Sequence, residues 1–341
     1  MNPAVGVETP PERAELLAGL HVVSIPMRVR FRDVGHREAV LFEGPCGWGE
    51  FAPFLEYADV EAARWLAAAL EAAYAGWPAP RRDVVPVNAT VPAVAPEQVP
   101  SVLARFDGCT TAKVKVGERG QGLADDVARV AAVRDALGAS GRVRVDANGA
   151  WDVASAVEAL TALSAFDLEY AEQPCATLEE LAALRIRLAR SGVDVAIAAD
   201  ESIRKAEDPL RVAVAGAADL VVVKVGPLSG VRHALEVVES SGLPAVVSSA
   251  LDTSVGIAAG VALAAALPTL EHACGLGTVG LLCADVASEP LQPVQGVLRP
   301  SRPQPTADAL LGLAAPEHRR RWWVERVSRC LDLLAAQSSP A

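Results

Sequence analysis

Residues 142–149 read RVRVDANG, residues 168–174 LEYAEQP and residues 195–202 VAIAADES. Each is a short apolar run that ends on an acidic side chain. Between the second and third lies LEELAALRIRLARSG (178–192), with apolar residues at helical spacing. The same texture continues in both directions. Upstream stand PVNATVPA (86–93), AKVKVG (112–117) and the helical DDVARVAAVRDALGAS (125–140). Downstream come LVVVKVG (220–226), PAVVSSAL (244–251) and TLEHACGLG (269–277). Alternating strand and helix implies a parallel sheet covered on both faces. Eight such runs over about 190 residues fit a closed (β/α)8-type barrel of the α/β class better than an open sheet.

Outside these runs the pattern changes. SIPMRVRF, EAVLFEG and GWGEFAPF (residues 24–54) read as strands separated by DVGHR and GPCG. A helix, DVEAARWLAAALEAAYAGW, then opens at Asp59 and is ended by Pro78. The expected division is a smaller α+β capping domain at 1–83 and a barrel at 84–287. A C-terminal segment, 288–341, would pack back on both. That segment is Pro-rich at first and ends in a basic helix, where Trp322 and Trp323 read as packing residues.

Composition narrows the function. Hydrophobic residues are 51% and aromatics 4% of the 341, so small branched side chains can fill tight helix–strand layers. The 31 basic and 42 acidic residues give a formal charge of −11, which argues against nucleic acid or an anionic membrane as partner. The first residues show no secretory leader. The longest apolar run, Val255–Leu267, is too short for a bilayer. The expectation is a cytoplasmic protein with no evident obligate protein partner. The six cysteines form no C-x-x-C pair and read as buried small hydrophobes.

In a barrel the chemistry sits at the C-terminal ends of the strands. Lys113 and Lys115 are two apart and share one side of their strand. Asp146, Glu172, Asp200 and Lys224 each end the next run, at steps of 31, 26, 28 and 24 residues from Lys115. One β/α unit per step brings K, D, E, D and K to one rim. Converging carboxylates repel, by about 4 kcal/mol for a pair roughly 4 Å apart at an effective dielectric of about 20. A divalent cation reverses that sign, and hard oxygen donors without His or Cys favour Mg²⁺, with Mn²⁺ a possible substitute. Neighbouring positive charge would lower a lysine pKa, as a general base requires.

With KVKVG, VDANGAW, EQP, ADES, VKVGPLSG, SSALDTSVG and the GWGEFAPF of the cap, the chain resembles the enolase superfamily in its muconate-lactonizing-enzyme subgroup. Within it, the stretch HACGLGTVGLLCADVASEPLQPVQGVL is similar to the o-succinylbenzoate synthase family in its actinobacterial form. The resemblance implies a modified TIM barrel with a capping domain. It implies Asp146, Glu172 and Asp200 as Mg²⁺ ligands and Lys115 as acid/base, with Lys113 tuning it. Lys224 would lie on the opposite face, charged, stabilising a planar intermediate by a cation–π contact. The implied reaction is syn-dehydration of 2-succinyl-6-hydroxy-2,4-cyclohexadiene-1-carboxylate in menaquinone biosynthesis.

Other positions carry two readings. Ser248 and Ser249 are substrate-contact candidates or capped loop hydroxyls, and Gly226, in VKVGPLSG, is a further substrate-contact candidate. Asn148 orients ligands from behind or forms an Asx turn. Arg144 supports the site from below or pairs with an acid inside the barrel. Gly275 and Gly277 allow close backbone approach or simply turn, and His272 reads as a core histidine. Arg28, Arg30 and Arg32 are possible anion contacts, a solvated face being favoured. Rival activities are N-succinylamino acid racemase, dipeptide epimerase and muconate-type cycloisomerase, and a non-catalytic carboxylate-binding barrel stands outside enzymes altogether.

Overall fold

The computed structural model describes residues 12–31, 34–204, 212 and 215–338. Arg32 therefore lies outside the described residues. In the cap, alternating burial shapes an antiparallel meander of β1 (His21–Phe31), β2 (Val34–Gly44) and β3 (Gly47–Phe51). Helix α1 (Asp59–Leu70) lies across it, and a π turn over Glu71–Ala75 continues to Gly76, whose φ of 65 ends the helix. Gly49 is required by that crossing, since a Cβ there would stand 2.3 Å from the Ala69 carbonyl oxygen.

Seven parallel strands follow in consecutive order: β4 (Ala89–Val91), β5 (Thr111–Lys115), β6 (Arg142–Asp146), β7 (Leu168–Glu172), β8 (Ile197–Ala199), β9 (Leu220–Val223) and β10 (Ala245–Val247). The covering helices include α2 (Leu123–Leu137), α3 (Val153–Leu163), α4 (Leu178–Arg190), α5 (Val231–Ser241) and α6 (Ser254–Ala266). Capping follows the sequence signals: Asp152 accepts from the Ser155 amide, and Thr177 and Glu180 form a reciprocal capping box.

The eighth run departs from expectation. It forms no regular strand. Cys274 bridges Val87 and Gly275 bridges Ser248, both in parallel sense, so residues 274–275 seal the gap between β10 and β4. The Cys274 amide donates to the Pro86 carbonyl at 2.7 Å and the Gly275 amide to Val247 at 2.8 Å. The approach is tight, and a Cβ on Gly275 would stand 2.6 Å from Ser248 Oγ.

The main core lies between strands and helices, and a smaller one of Tyr170, Ala198, Leu220, Val222 and Val246 forms a separate cluster. Helix α6 is buried on nearly every side, because the cap packs on it as well as the barrel. The C-terminal helix α7 (Glu317–Ser338) returns to the cap. Its Trp323 is fully buried, edge-on to Phe51 at 5.7 Å, and donates Nε1 to Glu38 at 2.7 Å. Such aromatic pairs contribute about 0.5–1.5 kcal/mol beyond the area they bury. Cys175, Cys274 and Cys330 are buried as expected, but Cys283 is exposed. No described helix is long and apolar enough to cross a membrane.

Candidate active site

Alternation along the strands sorts the barrel side chains. On β6, Val143 and Val145 join the core under the helices, which turns Arg144 and Asp146 the other way. Register then aligns the strand ends: Lys115 pairs with Asp146, and Asp146 with Glu172. Asp200 and Lys224 stand just past β8 and β9. The two lysines of β5 and the three carboxylates are each at most 7% exposed.

The rim is a continuous ionic network. Lys113 Nζ lies 2.6 Å from Glu172 Oε1 and 3.0 Å from Asp146 Oδ2. Lys115 donates to the same Asp146 oxygen and, at 2.6 Å, to Asn148 Oδ1. Lys224 pairs with Asp200. Asn148, at φ 48, also donates to Glu201 at 3.3 Å, so it positions the ammonium of Lys115 as well as shaping the turn.

Gln173 is a site residue that the sequence patterns leave out. Its Oε1 accepts from the Asp200 amide at 2.9 Å, its Nε2 reaches Ser202, and its φ is 39. The signal that points to it is an amide side chain locked between Glu172 and Pro174 at a strand end.

A cavity of about 50 Å³ sits on this rim. Lys113, Lys115, Asp146, Asn148, Lys224, Ser248, Ser249 and Gly275 line it from the barrel, with Thr90, Leu251 and Thr278. Phe31, Phe54, Tyr57 and Trp65 close it from the cap. The Phe31 ring lies 5.2 Å from Lys115 Nζ. Gly226 packs closely on Trp65: a Cβ there would meet the indole at 2.5 Å. Ser249 is tied to Thr278 Oγ1 at 2.8 Å and to the Gly275 carbonyl. Arg28 donates to the Leu282 carbonyl at 2.8 Å and fastens cap to barrel.

Residues 98–305 match the family described as enolase C-terminal domain-like, and residues 22–73 the enolase N-terminal domain-like family. A protein of Mycolicibacterium smegmatis named o-succinylbenzoate synthase is 60% identical over 325 residues, 95% of this chain and 98% of that one. The chain belongs to the o-succinylbenzoate synthase family of enolase-like proteins. Another protein so named, from Thermobifida fusca, is 64% identical over 81% of this chain and 85% of its own length. In fold, this o-succinylbenzoate synthase family member is similar to the muconate lactonizing enzyme from Pseudomonas putida, at a TM-score of 0.72 and 20% identity over 87% of this chain and 98% of that one.

The charges of two rim lysines in this o-succinylbenzoate synthase family member are set by their ion pairs. Burial would lower the Lys113 ammonium, but Asp146 and Glu172 outweigh it and push its pKa well up. Lys224 is likewise raised against burial, chiefly by Asp200. Lys113 and Lys224 are held charged because they neutralise carboxylates. Glu172 is pushed up to about 8 by burial and by Asp146, and its Oε2 is buried without a hydrogen-bond partner among the described residues.

As they stand, no group of three or more described His, Cys, Asp or Glu side chains is arranged to hold a metal. Lysines occupy the carboxylates. The donor set nevertheless fits a hard divalent cation. It consists of oxygens alone, on three consecutive strand ends, with one oxygen, Glu172 Oε2, that has no hydrogen-bond partner among the described residues.

Proposed function

We propose that this chain is an o-succinylbenzoate synthase, a lyase that dehydrates 2-succinyl-6-hydroxy-2,4-cyclohexadiene-1-carboxylate to 2-succinylbenzoate, in menaquinone biosynthesis. The observation that carries the chemistry is that Lys115 and Lys224 line one cavity together with Asp146. The choice of dehydration rests on relatives of that name at 58–64% identity.

Asp146, Glu172 and Asp200 would hold Mg²⁺, which when bound supplies the positive charge that a substrate carboxylate needs as its α-proton leaves. A lysine base beside Mg²⁺ is the general pattern of enolase-superfamily sites, and the residues of this rim fit it. Neutral Lys115 takes the proton from the carbon bearing the carboxylate. The resulting ammonium returns it to the hydroxyl on the adjacent carbon, which leaves as water from the same face. The electron pair of the broken C–H bond becomes the third double bond of the ring. Asn148 keeps Lys115 in place through both transfers. Lys224 remains charged, held so by Asp200, and faces the flat anion. Tyr57, Phe54 and Trp65 keep bulk water away from the base.

Ultraviolet absorbance of purified protein with Mg²⁺ and the cyclohexadiene, with and without chelator, tests the reading. Rapid, chelator-sensitive aromatisation is expected. Efficient epimerisation of N-succinyl amino acids with the cyclohexadiene untouched would refute it.

A further inference from the structure

Two strands of the cap reach one loop of the barrel. Residues 248–253 leave β10 and enter α6, and Ser248, Ser249 and Leu251 line the cavity. From β3, Glu50 accepts from the amides of Thr253 at 3.1 Å and Gly256 at 2.8 Å, and from the Thr253 hydroxyl. From β2, Arg37 enters the same place, only 3% exposed. Its Nε donates to the Leu251 carbonyl at 3.2 Å, and Nη2 donates to the Ala52 carbonyl. Its guanidinium lies 4.7 Å over the Phe54 ring, with Asp252 at 3.9 Å.

Leu251 sits at φ 63, in the left-handed region. Crowding between Cβ and carbonyl disfavours that conformation for leucine, which has no polar side chain to compensate. Its surroundings must hold it there, and the side-chain group on its carbonyl is Arg37. Leu251 and Phe54 are walls of the cavity, on opposite domains, and one guanidinium touches both. A buried cation is costly unless its hydrogen bonds are met, and only the planar fork of arginine meets acceptors in several directions at once. The same position filled by an apolar residue would pack without that cost but would leave the Leu251 carbonyl unheld.

We infer that Arg37 is a positioning residue that fixes the Leu251–Phe54 wall and thereby sets how the part of the substrate remote from the reacting carbon is gripped. The substrate half of this inference rests on the proposed synthase reading; the hold on the loop does not. Arg37 is not itself among the residues that line the cavity, so it acts on binding through Leu251 and Phe54 and not on the chemical step.

The test compares wild type, Arg37→Met and Arg37→Lys, full-length and with Mg²⁺, by amide hydrogen exchange and by turnover of the cyclohexadiene. In Arg37→Met, exchange in 248–253 should rise about tenfold or more while β6 and α4 stay protected. KM should rise about tenfold with kcat within about threefold, the pattern of lost uniform binding. Arg37→Lys keeps a charge near Asp252 but not the fork, so it should move both readouts in the same direction, less far. If Arg37→Met does not fold, Arg37→Lys alone decides. Wild-type exchange at 248–253, a rise spread over the whole molecule, or a fall in kcat at unchanged KM would each overturn the inference. A wild type that leaves the cyclohexadiene unchanged would sink the synthase reading, and the exchange data would then decide the role of Arg37 by themselves.

Discussion

Two buried ionic networks share the inside of this barrel, and they are built differently. The lower one centres on Glu169. Arg144, fully buried, donates to Glu169, to Asn88 at 3.1 Å and to the Ala273 carbonyl at 2.6 Å. His272 and Arg142 reach the same carboxylate at 2.9 and 2.8 Å. One acid is thus surrounded by donors, and although burial opposes it, His272 and Arg144 hold the Glu169 carboxyl well below its usual range. The upper network has three acids against three lysines, and one acid, pushed up to about 8, carries an oxygen with no hydrogen-bond partner among the described residues. Strands β6 and β7 supply both. The closed network reads as structure, whereas the unfinished one reads as a place prepared for a cation and a reacting carbon.

That contrast can be broken in four ways. The largest effect belongs to Lys115→Ala. It should lower kcat by about 10³-fold or more while the circular dichroism spectrum and Mg²⁺ binding persist, and retained turnover would remove Lys115 from the role of base. Next comes Arg144→Met, which takes the central cation from the lower network. Urea titration should show about 3 kcal/mol of lost stability, with kcat of the folded fraction unchanged. A large kcat loss there would blur the division between the two networks.

Third, Mg²⁺ at about 100 times its Kd should stabilise the wild type by about 2.7 kcal/mol in thermal unfolding. Glu172→Gln should lose most of that gain, and an undiminished shift would place the ion elsewhere. The smallest effect is in acid. Because the folded pKa of Glu169 is depressed, its contribution is present above the unfolded value of about 4.3 and fades as pH falls below it. Glu169→Gln should flatten stability against pH in that window, leaving it unchanged in shape near neutrality.

The upper network is legible in the sequence because two periods act together. Alternation puts Lys113, Lys115 and Asp146 on the inner side, and one β/α unit per step repeats the placement around the rim. Arg144 is legible only to the point of two options, since its partner Glu169 comes from the next strand. The eighth run, TLEHACGLG, has the composition of a strand, but only tertiary contact with Val87 and Ser248 shows that it merely bridges. That the missing Cβ of Gly226 makes room for Trp65 is visible only in three dimensions, since Trp65 comes from the cap. Cap residues such as Phe31, Phe54 and Tyr57 lie far from the barrel in sequence, so no local pattern announces that they wall the cavity. The raised pKa values of Lys113 and Lys224 are not legible in the pattern, because it shows which residues share a rim and not which carboxylate each lysine grips.

The cap has a core that its own residues do not complete. Phe42, Phe51, Trp65 and Leu66 cluster with Trp323, Val327 and Cys330 of the last helix. During synthesis, the cap must therefore wait for a segment made long after it. At roughly 5–20 residues per second, residues 52–323 take roughly 15–50 s to appear, and for that interval the apolar face that Trp323 and Val327 cover has no partner from that helix.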